Sequence, residues 1–346
     1  MKKFALIIAT MMIMLTYSSC GRHKATAGSD EPFSTGWQRD TLGDGFEMRY
    51  VRQADDYSGQ VRSTIIRKVS AGAKRGVLYV HGFNDYFFQT EMADRFVDSC
   101  YSFYAVDLRK YGRSLMKGQT PFQARDLSEY FADIDSAISV MKVNGIDSIV
   151  LMGHSTGGLT TAYYMNTSSD PAIKCLILNS PFLDWNLSPA LEKWAIPIVT
   201  AAGKIVPDLE ISQSPSQIYS ESLLKKDGGE WNYNTDWKME QSPDVDAGWI
   251  RAITVAQRRL RKDGHITVPI LLLHSERSYN TDEPVAESRS SDAVLDITDI
   301  SRYGRVLGNE ITEVTVENGL HDLALSRKGV RDPMFDYIFA WLDRIF

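Results

Sequence analysis

The sequence predicts an α/β fold in which a mostly parallel sheet is covered by helices on both faces. Short, continuously apolar segments, typical of strands buried on both sides, alternate with segments whose apolar residues recur every three or four positions, as in amphipathic helices. The alternation stops once, between Phe182 and Gly264, and then resumes. A chain of 346 residues is long enough for one such core with an insertion.

The part of the chain before the interruption is predicted to form six strands and three helices. The second helix has the clearest pattern, because Leu127, Ile134, Ile138 and Met141 would share one face. The predicted strands span residues 46–53, 61–70, 76–82, 101–108, 148–152 and 173–178, and the predicted helices span 90–100, 124–143 and 157–166.

The interruption is rich in tryptophan and proline, with predicted helices at 187–203 and 247–261 and an irregular segment at 227–241. Because aromatic-rich concave surfaces bind apolar ligands, residues 184–265 are predicted to form a cap over a substrate pocket; a purely structural cover is the alternative. Residues 46–183 and 266–346 then form the core. Its later part is predicted to contain strands at 268–273 and 311–316 and a closing helix at 333–345.

The N-terminus has the pattern of an export signal. Lys2 and Lys3 precede an uncharged, mostly apolar stretch over 4–17, which as a helix would span about 21 Å, short of the ~30 Å hydrocarbon core of a membrane. Small residues before Cys20 resemble the lipobox of bacterial lipoproteins. This resemblance implies a signal peptide at 1–19, a lipidated Cys20, a polar tether over 20–45, and an exported, membrane-anchored lipoprotein of the bacterial cell envelope; ordinary signal cleavage is the alternative.

Composition excludes several classes of protein. The net charge of −6 argues against nucleic-acid binding, which needs a basic face. Three cysteines are too few for a disulfide scaffold. The sequence has neither His-x-x-x-His or clustered Cys/His spacing nor a Gly-rich phosphate loop, so neither a metal nor a cofactor is predicted. Cys100 and Cys175 are expected to be unpaired.

The strongest chemical signal is the segment Gly153–Gly157, with the sequence GHSTG. It follows a buried strand and opens a helix, which is the strand–turn–helix setting of a nucleophile elbow. Glycines allow the tight turn, and the helix N-terminus directs N–H groups toward a developing oxyanion. Ser155 is therefore the predicted nucleophile.

A serine needs a base to take its proton, and the chain has six histidines. With this elbow the order along the chain is serine, acid, histidine, and the histidine lies in a late loop. His321, between the last predicted strand and the closing helix, satisfies that order and is the predicted base.

Four segments in this order resemble the α/β-hydrolases of the monoglyceride lipase, lysophospholipase and serine aminopeptidase-like group. They are the turn at 81–85, the loop at 107–114, the GHSTG elbow and the loop at His321. The resemblance implies an α/β-hydrolase sheet, an oxyanion hole made by the backbone N–H groups of Phe83 and Thr156, and a lid at the interruption.

The acid of the triad is harder to assign, because an extra polar loop follows the strand at 268–273. Asp292 is the predicted acid, since Ala293-Val294-Leu295 follow it as apolar residues follow the family's aspartate. Asp296 is expected to cap a helix instead. The other acids in the permitted order are Glu276, Asp282, Glu283, Glu287 and Asp299.

These residues predict hydrolysis of a carboxylic ester through an acyl-enzyme, with a small-molecule or lipid ester as the substrate and partner. A serine aminopeptidase is one alternative, and it would need a cap carboxylate such as Glu192, Glu210 or Glu230 to hold an α-amino group. A non-catalytic, exported binding lipoprotein on the same fold is the other.

Overall fold

The computed structural model describes residues 36–168, 170–213, 216–281 and 286–346. The predicted signal peptide, Cys20 and most of the predicted tether lie outside these residues. Among the helices that are described, none is both long and apolar enough to cross a membrane.

Eleven strands are described, and nine of them form a sheet at the centre of the molecule. The strands are β1 (Gln38–Arg39), β2 (Glu47–Arg52), β3 (Arg62–Lys68), β4 (Arg75–Val80), β5 (Ser102–Asp107), β6 (Ser148–His154), β7 (Ile173–Asn179), β8 (Glu210–Ile211), β9 (Val245–Asp246), β10 (Ile270–Ser275) and β11 (Ile311–Val316). All but β8 and β9 form the sheet, in the order β1-β2-β3-β5-β4-β6-β7-β10-β11. In this order, the first three pairs (β1-β2, β2-β3 and β3-β5) are antiparallel. The remaining neighbours in the sheet are parallel. The predicted mostly parallel sheet is therefore confirmed.

Apolar side chains cover both faces of this sheet. Along β4, Leu78 and Val80 belong to one buried cluster, and Val77 and Tyr79 belong to another. Successive side chains of a strand point to opposite faces, so the two clusters are the two layers between sheet and helices. This arrangement explains why the central strands are continuously apolar in sequence.

Eight α-helices are described. They are α1 (Thr90–Asp98), α2 (Phe131–Val143), α3 (Thr156–Thr167), α4 (Pro189–Ile205), α5 (Ile218–Leu223), α6 (Ala247–Asp263), α7 (Ile297–Gly304) and α8 (Lys328–Ile345). The predicted start of the closing helix at Pro333 is wrong. The amides of Val330 and Arg331 already bond to the Arg327 carbonyl, so the first turn forms before the proline.

The chain between β7 and β10 forms an inserted segment, residues 180–269, which contains α4, α5, α6 and the β8–β9 pair. Helices α4 and α6 correspond to the two predicted here. They approach so closely at Gly203 that a Cβ there would lie 2.1 Å from the Ala247 carbonyl oxygen. The segment bonds back to the core, for example from Trp231 Nε1 to the Leu325 carbonyl at 2.7 Å.

Candidate active site

Four loops at the carboxyl ends of parallel strands contain the residues singled out from the sequence. Phe83 follows β4, Ser155 follows β6, Asp292 follows β10 and His321 follows β11. Because the parallel strands all end at one edge of the sheet, residues distant in sequence meet there.

Ser155 lies in a tight turn between β6 and α3, with φ at +53°. A side chain at positive φ is sterically costly, and such residues persist where the surroundings force the conformation. The glycines of the motif make this turn possible. A Cβ on Gly157 would lie 2.3 Å from the carbonyl oxygens of Val80 and His81, and one on Gly153 would lie 2.5 Å from the Gly157 carbonyl oxygen.

Ser155, His321 and Asp292 form a hydrogen-bonded chain. His321 Nε2 lies 2.9 Å from Ser155 Oγ, and His321 Nδ1 lies 2.9 Å from Asp292 Oδ2. The three side chains are buried, and Asp292 is wholly inaccessible to solvent. A low-dielectric environment strengthens these bonds relative to water. The structure thus brings together the three residues singled out as nucleophile, base and acid.

Asp292 is fixed by its own backbone and by its second carboxylate oxygen. Oδ1 accepts hydrogen bonds from the amides of Val294 and Leu295 at 2.9 and 2.8 Å. Two of the competing acids are engaged elsewhere. Asp296 caps α7 through the Thr298 amide, and Glu276 pairs with Arg277. Asp282 and Glu283 lie outside the described residues.

Asn179 and Asp322 position the His321 loop, and the sequence reasoning missed both. Asn179 Nδ2 donates to Asp322 Oδ1 at 2.7 Å, and Asn179 Oδ1 accepts from the Leu323 amide at 3.2 Å. The Asn179 carbonyl also accepts from the Ser155 amide at 3.0 Å. The available signal was position, since Asn179 ends a buried strand and Asp322 directly follows the predicted base.

Three of the other described histidines have different hydrogen-bond partners. His81 Nε2 accepts from the Leu108 amide, and burial lowers the pKa of His81, which keeps the ring neutral. His274 pairs with Glu313, and His265 contacts the Asp263 carbonyl. Within the described chain, His321 is the histidine that is hydrogen-bonded to Ser155.

The amides of Phe83 and Thr156 lie on either side of the serine turn. Thr156 begins α3, and a Cβ on Gly82, next to Phe83, would lie 3.1 Å from Ser155 Cβ. Neither amide donates to a backbone carbonyl, so both N–H groups lack a backbone acceptor among the described residues.

A buried polar cluster lies beside this site and was not predicted. Lys238 of the inserted segment is 3.1 Å from Asp85, and His154 Nδ1 is 3.8 Å from Asp85 and 4.0 Å from Asp322. Burial raises the pKa of Asp85, but Lys238 and His154 outweigh it and lower that pKa to about 2. Asp85, His154 and Asp322 have the donor types for a metal, with ligand atoms within 4.8 Å of one another. The adjacent Lys238 ammonium disfavours a divalent ion there, so the group fits a buried ion-pair network better.

A cavity of about 430 Å³ opens next to Phe83 between core and inserted segment. Its apolar lining includes Phe83, Phe122 and Trp249, and its polar lining includes Glu210 and Asp246. The rings of Phe83 and Trp249 are 4.6 Å apart. The cavity is thus an aromatic pocket with acidic groups among its walls.

Sheet, serine turn and late histidine loop together define this chain as an α/β-hydrolase. It belongs to the Hydrolase_4 family, described as serine aminopeptidase, S33, whose model matches residues 71–322. This confirms the family resemblance noted in the sequence. The two cysteines within the described residues, Cys100 and Cys175, are free, as expected.

Solved structures share this fold at low sequence identity. A monoacylglycerol lipase from Paleococcus ferrophilus superposes with a TM-score of 0.60 at 18% identity, covering 86% of this chain and 100% of that one. A soluble variant of monoglyceride lipase from Saccharomyces cerevisiae, in complex with a substrate analog, superposes with a TM-score of 0.62 at 14% identity. The match covers 86% of this chain and 97% of that one. No curated protein sequence matches this chain.

Proposed function

We propose that this chain is a serine hydrolase that cleaves carboxylic esters through an acyl-enzyme. The proposal rests on the hydrogen-bonded chain from Asp292 through His321 to Ser155, which lies in the turn between β6 and α3. A serine hydroxyl becomes an effective nucleophile when a correctly oriented base takes its proton, and this geometry provides that base.

In the proposed reaction, Ser155 Oγ attacks the ester carbonyl while His321 Nε2 accepts the serine proton. Asp292 holds the imidazole through Nδ1–H and stabilises the imidazolium that forms. The amides of Phe83 and Thr156 bind the tetrahedral oxyanion, each contributing on the order of 3 kcal/mol. His321 then protonates the leaving alcohol, and a water molecule activated by the same histidine releases the acid.

For the substrate we propose an acylglycerol or another lipid-like ester, with the inserted segment as the cap. The aromatic lining of the 430 Å³ cavity beside Phe83 supports an apolar acyl or alcohol group. Phe83 lines this cavity and is also a proposed oxyanion residue, so we propose that the cavity holds the acyl or alcohol group of an ester whose carbonyl reaches Ser155.

Aminopeptidase activity is the second candidate, and Glu210 is the observation that favours it. This carboxylate lines the cavity, where it would attract an α-amino group. The other two carboxylates considered have different surroundings. Glu230 pairs with Arg331. The pKa of Glu192 is raised by burial and by the nearby Asp184 carboxylate. The alternative of a non-catalytic binding protein gains no support from a complete Ser–His–Asp chain.

A fluorophosphonate probe tests the proposed class. We expect it to label the wild-type protein and not the Ser155→Ala variant, because labelling needs an activated serine. p-Nitrophenyl esters of increasing chain length, compared with amino-acid p-nitroanilides, then separate esterase from aminopeptidase. Absence of labelling in wild-type protein would contradict the proposal.

We also propose that the chain is exported and anchored to a membrane of the cell envelope by lipid on Cys20. The support is the sequence pattern at 1–20, which lies before the described residues.

A further inference from the structure

We propose that Asn84 is a positioning residue that links the inserted segment to the oxyanion turn, defined as residues 82–86 after β4. The inserted segment would then do more than cover the site, since it would hold the Phe83 amide where the oxyanion forms. This inference rests on the proposed function, because it assigns Phe83 N–H to the oxyanion.

Four consecutive residues of the oxyanion turn contact the inserted segment. The Phe83 ring packs against Trp249. The three residues that follow contact a single short stretch of the segment: Asn84 bonds with Met239, Asp85 pairs with Lys238, and Tyr86 Oη accepts from the Asn234 amide at 2.8 Å. The conformation of the turn therefore depends on where residues 234–239 lie.

The Asn84 contact constrains the turn most directly. Its side chain pairs with the backbone of Met239 as one strand pairs with another. Asn84 Nδ2 donates to the Met239 carbonyl at 2.9 Å, and Asn84 Oδ1 accepts from the Met239 amide at 2.8 Å. Two such bonds restrain both position and rotation of a side chain that leaves the backbone one residue after Phe83.

Asn84 also has a φ of +48°, in the left-handed region that asparagine and glycine tolerate best. Asn84 therefore has two separate roles. It adopts a left-handed backbone conformation, and its side chain forms two hydrogen bonds with the Met239 backbone, a pair of bonds that we call the clamp. A glycine would keep the first role and remove the second, so substitution can separate them.

The clamp affects the transition state more than substrate binding. An oxyanion donor contributes fully only when it points at the tetrahedral oxygen, and a displacement of about 1 Å can cost about 100-fold in rate. Because the carbonyl of the bound ester needs this donor less, loosening the turn should lower kcat while leaving KM nearly unchanged.

The test compares full-length Asn84→Gly and Asn84→Ala with wild type on one p-nitrophenyl ester. We expect both variants to lose about 10- to 100-fold in kcat, with KM within about threefold of wild type. A trifluoromethyl ketone, which Ser155 converts to a tetrahedral oxyanion, should lose affinity by the same factor as kcat/KM. A change in stability alone would not move that inhibition constant.

Lys204→Ala is the matched control. Lys204 is exposed near the end of α4 in the same inserted segment and does not line the cavity, so this variant should keep kcat within about twofold. Should Asn84→Gly not fold, Asn84→Asp replaces it. The carboxylate of that variant would still accept from the Met239 amide but would face the Met239 carbonyl oxygen without a hydrogen to donate, and we expect a loss in the same two measurements.

Wild-type kcat in Asn84→Gly would overturn the inference, since backbone conformation would then be the only role of Asn84. A fall in kcat with unchanged ketone affinity would overturn it too. In both cases the proposed function would stand, provided that the wild-type protein hydrolyses the ester and the probe labels its Ser155. If the wild-type protein neither hydrolyses esters nor labels, the proposed function itself fails.

Discussion

Asp292 forms a parallel β-bridge with Ser278, so it lies beside the chain that has just left β10. The Asp292 amide donates to the Arg277 carbonyl at 2.9 Å, and its carbonyl accepts from the Tyr279 amide at 2.7 Å. These bonds therefore hold the acid beside the chain that leaves β10, where its carboxylate meets His321.

Replacing Asp292 by asparagine should lower kcat about 10⁴-fold, because the amide cannot orient His321 and stabilise its charged form. Turnover of one ester by the purified variants measures this effect. Asp296→Ala is the control. It removes a helix cap, so it should cost about 1 kcal/mol of stability and leave turnover unchanged. A large loss in Asp296→Ala with an active Asp292→Asn would reverse the assignment.

Ser155→Gly should be inactive yet more stable than Ser155→Ala. Both substitutions remove the hydroxyl, but only glycine relieves the strain of φ +53° and ψ −119° at this position. We expect a difference of about 1 kcal/mol in the free energy of unfolding, measured by chemical denaturation. Equal stabilities would show that the turn is not strained.

Lys238→Met should destabilise the protein by about 3–5 kcal/mol at pH 7, because it leaves the buried Asp85 carboxylate without its cation. The methionine can still pack near the rings of Phe88, Tyr219 and Tyr233. Adding Asp85→Asn to this variant should restore part of the loss, since the unpaired charge disappears. No recovery in the double variant would argue against the ion-pair explanation.

Lowering the pH should reduce the difference in free energy of unfolding between the wild type and Lys238→Met. In the wild type, the pKa of Asp85 is about 2, below the usual value of about 3.9, so its stabilising effect is present above about pH 4 and declines toward pH 2. In the variant, burial without the cation raises that pKa, so the penalty at pH 7 diminishes as the carboxylate becomes protonated. Unfolding curves between pH 3 and pH 7 measure the convergence.

Cys20→Ala should move the protein from the membrane fraction to the soluble fraction of lysed cells. A processed lipoprotein carries more than one acyl chain, which anchors stably where a single chain binds only marginally. Immunoblots of the two fractions make the comparison. Wild-type protein found in the soluble fraction would rule out the anchor.

The sequence predicted the central strands well and the short elements poorly. Continuous apolar runs marked β4, β6 and β7, whereas α5 and the β8–β9 pair are too short for any periodicity to show. β10 was expected at 268–273 but spans Ile270–Ser275, because Pro269 has no N–H to donate to the sheet and pairing with β11 begins at Ile270.

By itself, the sequence determined the fold class, the serine turn and its place before a helix. These features depend on contiguous residues, such as the glycines that permit the conformation of Ser155. Only the tertiary structure decided which acid meets His321, that Asn179 and Asp322 hold the histidine loop, and that Lys238 reaches Asp85. Those partners are far apart in the sequence, and packing against the rest of the molecule, rather than any local pattern, fixes which of them meet.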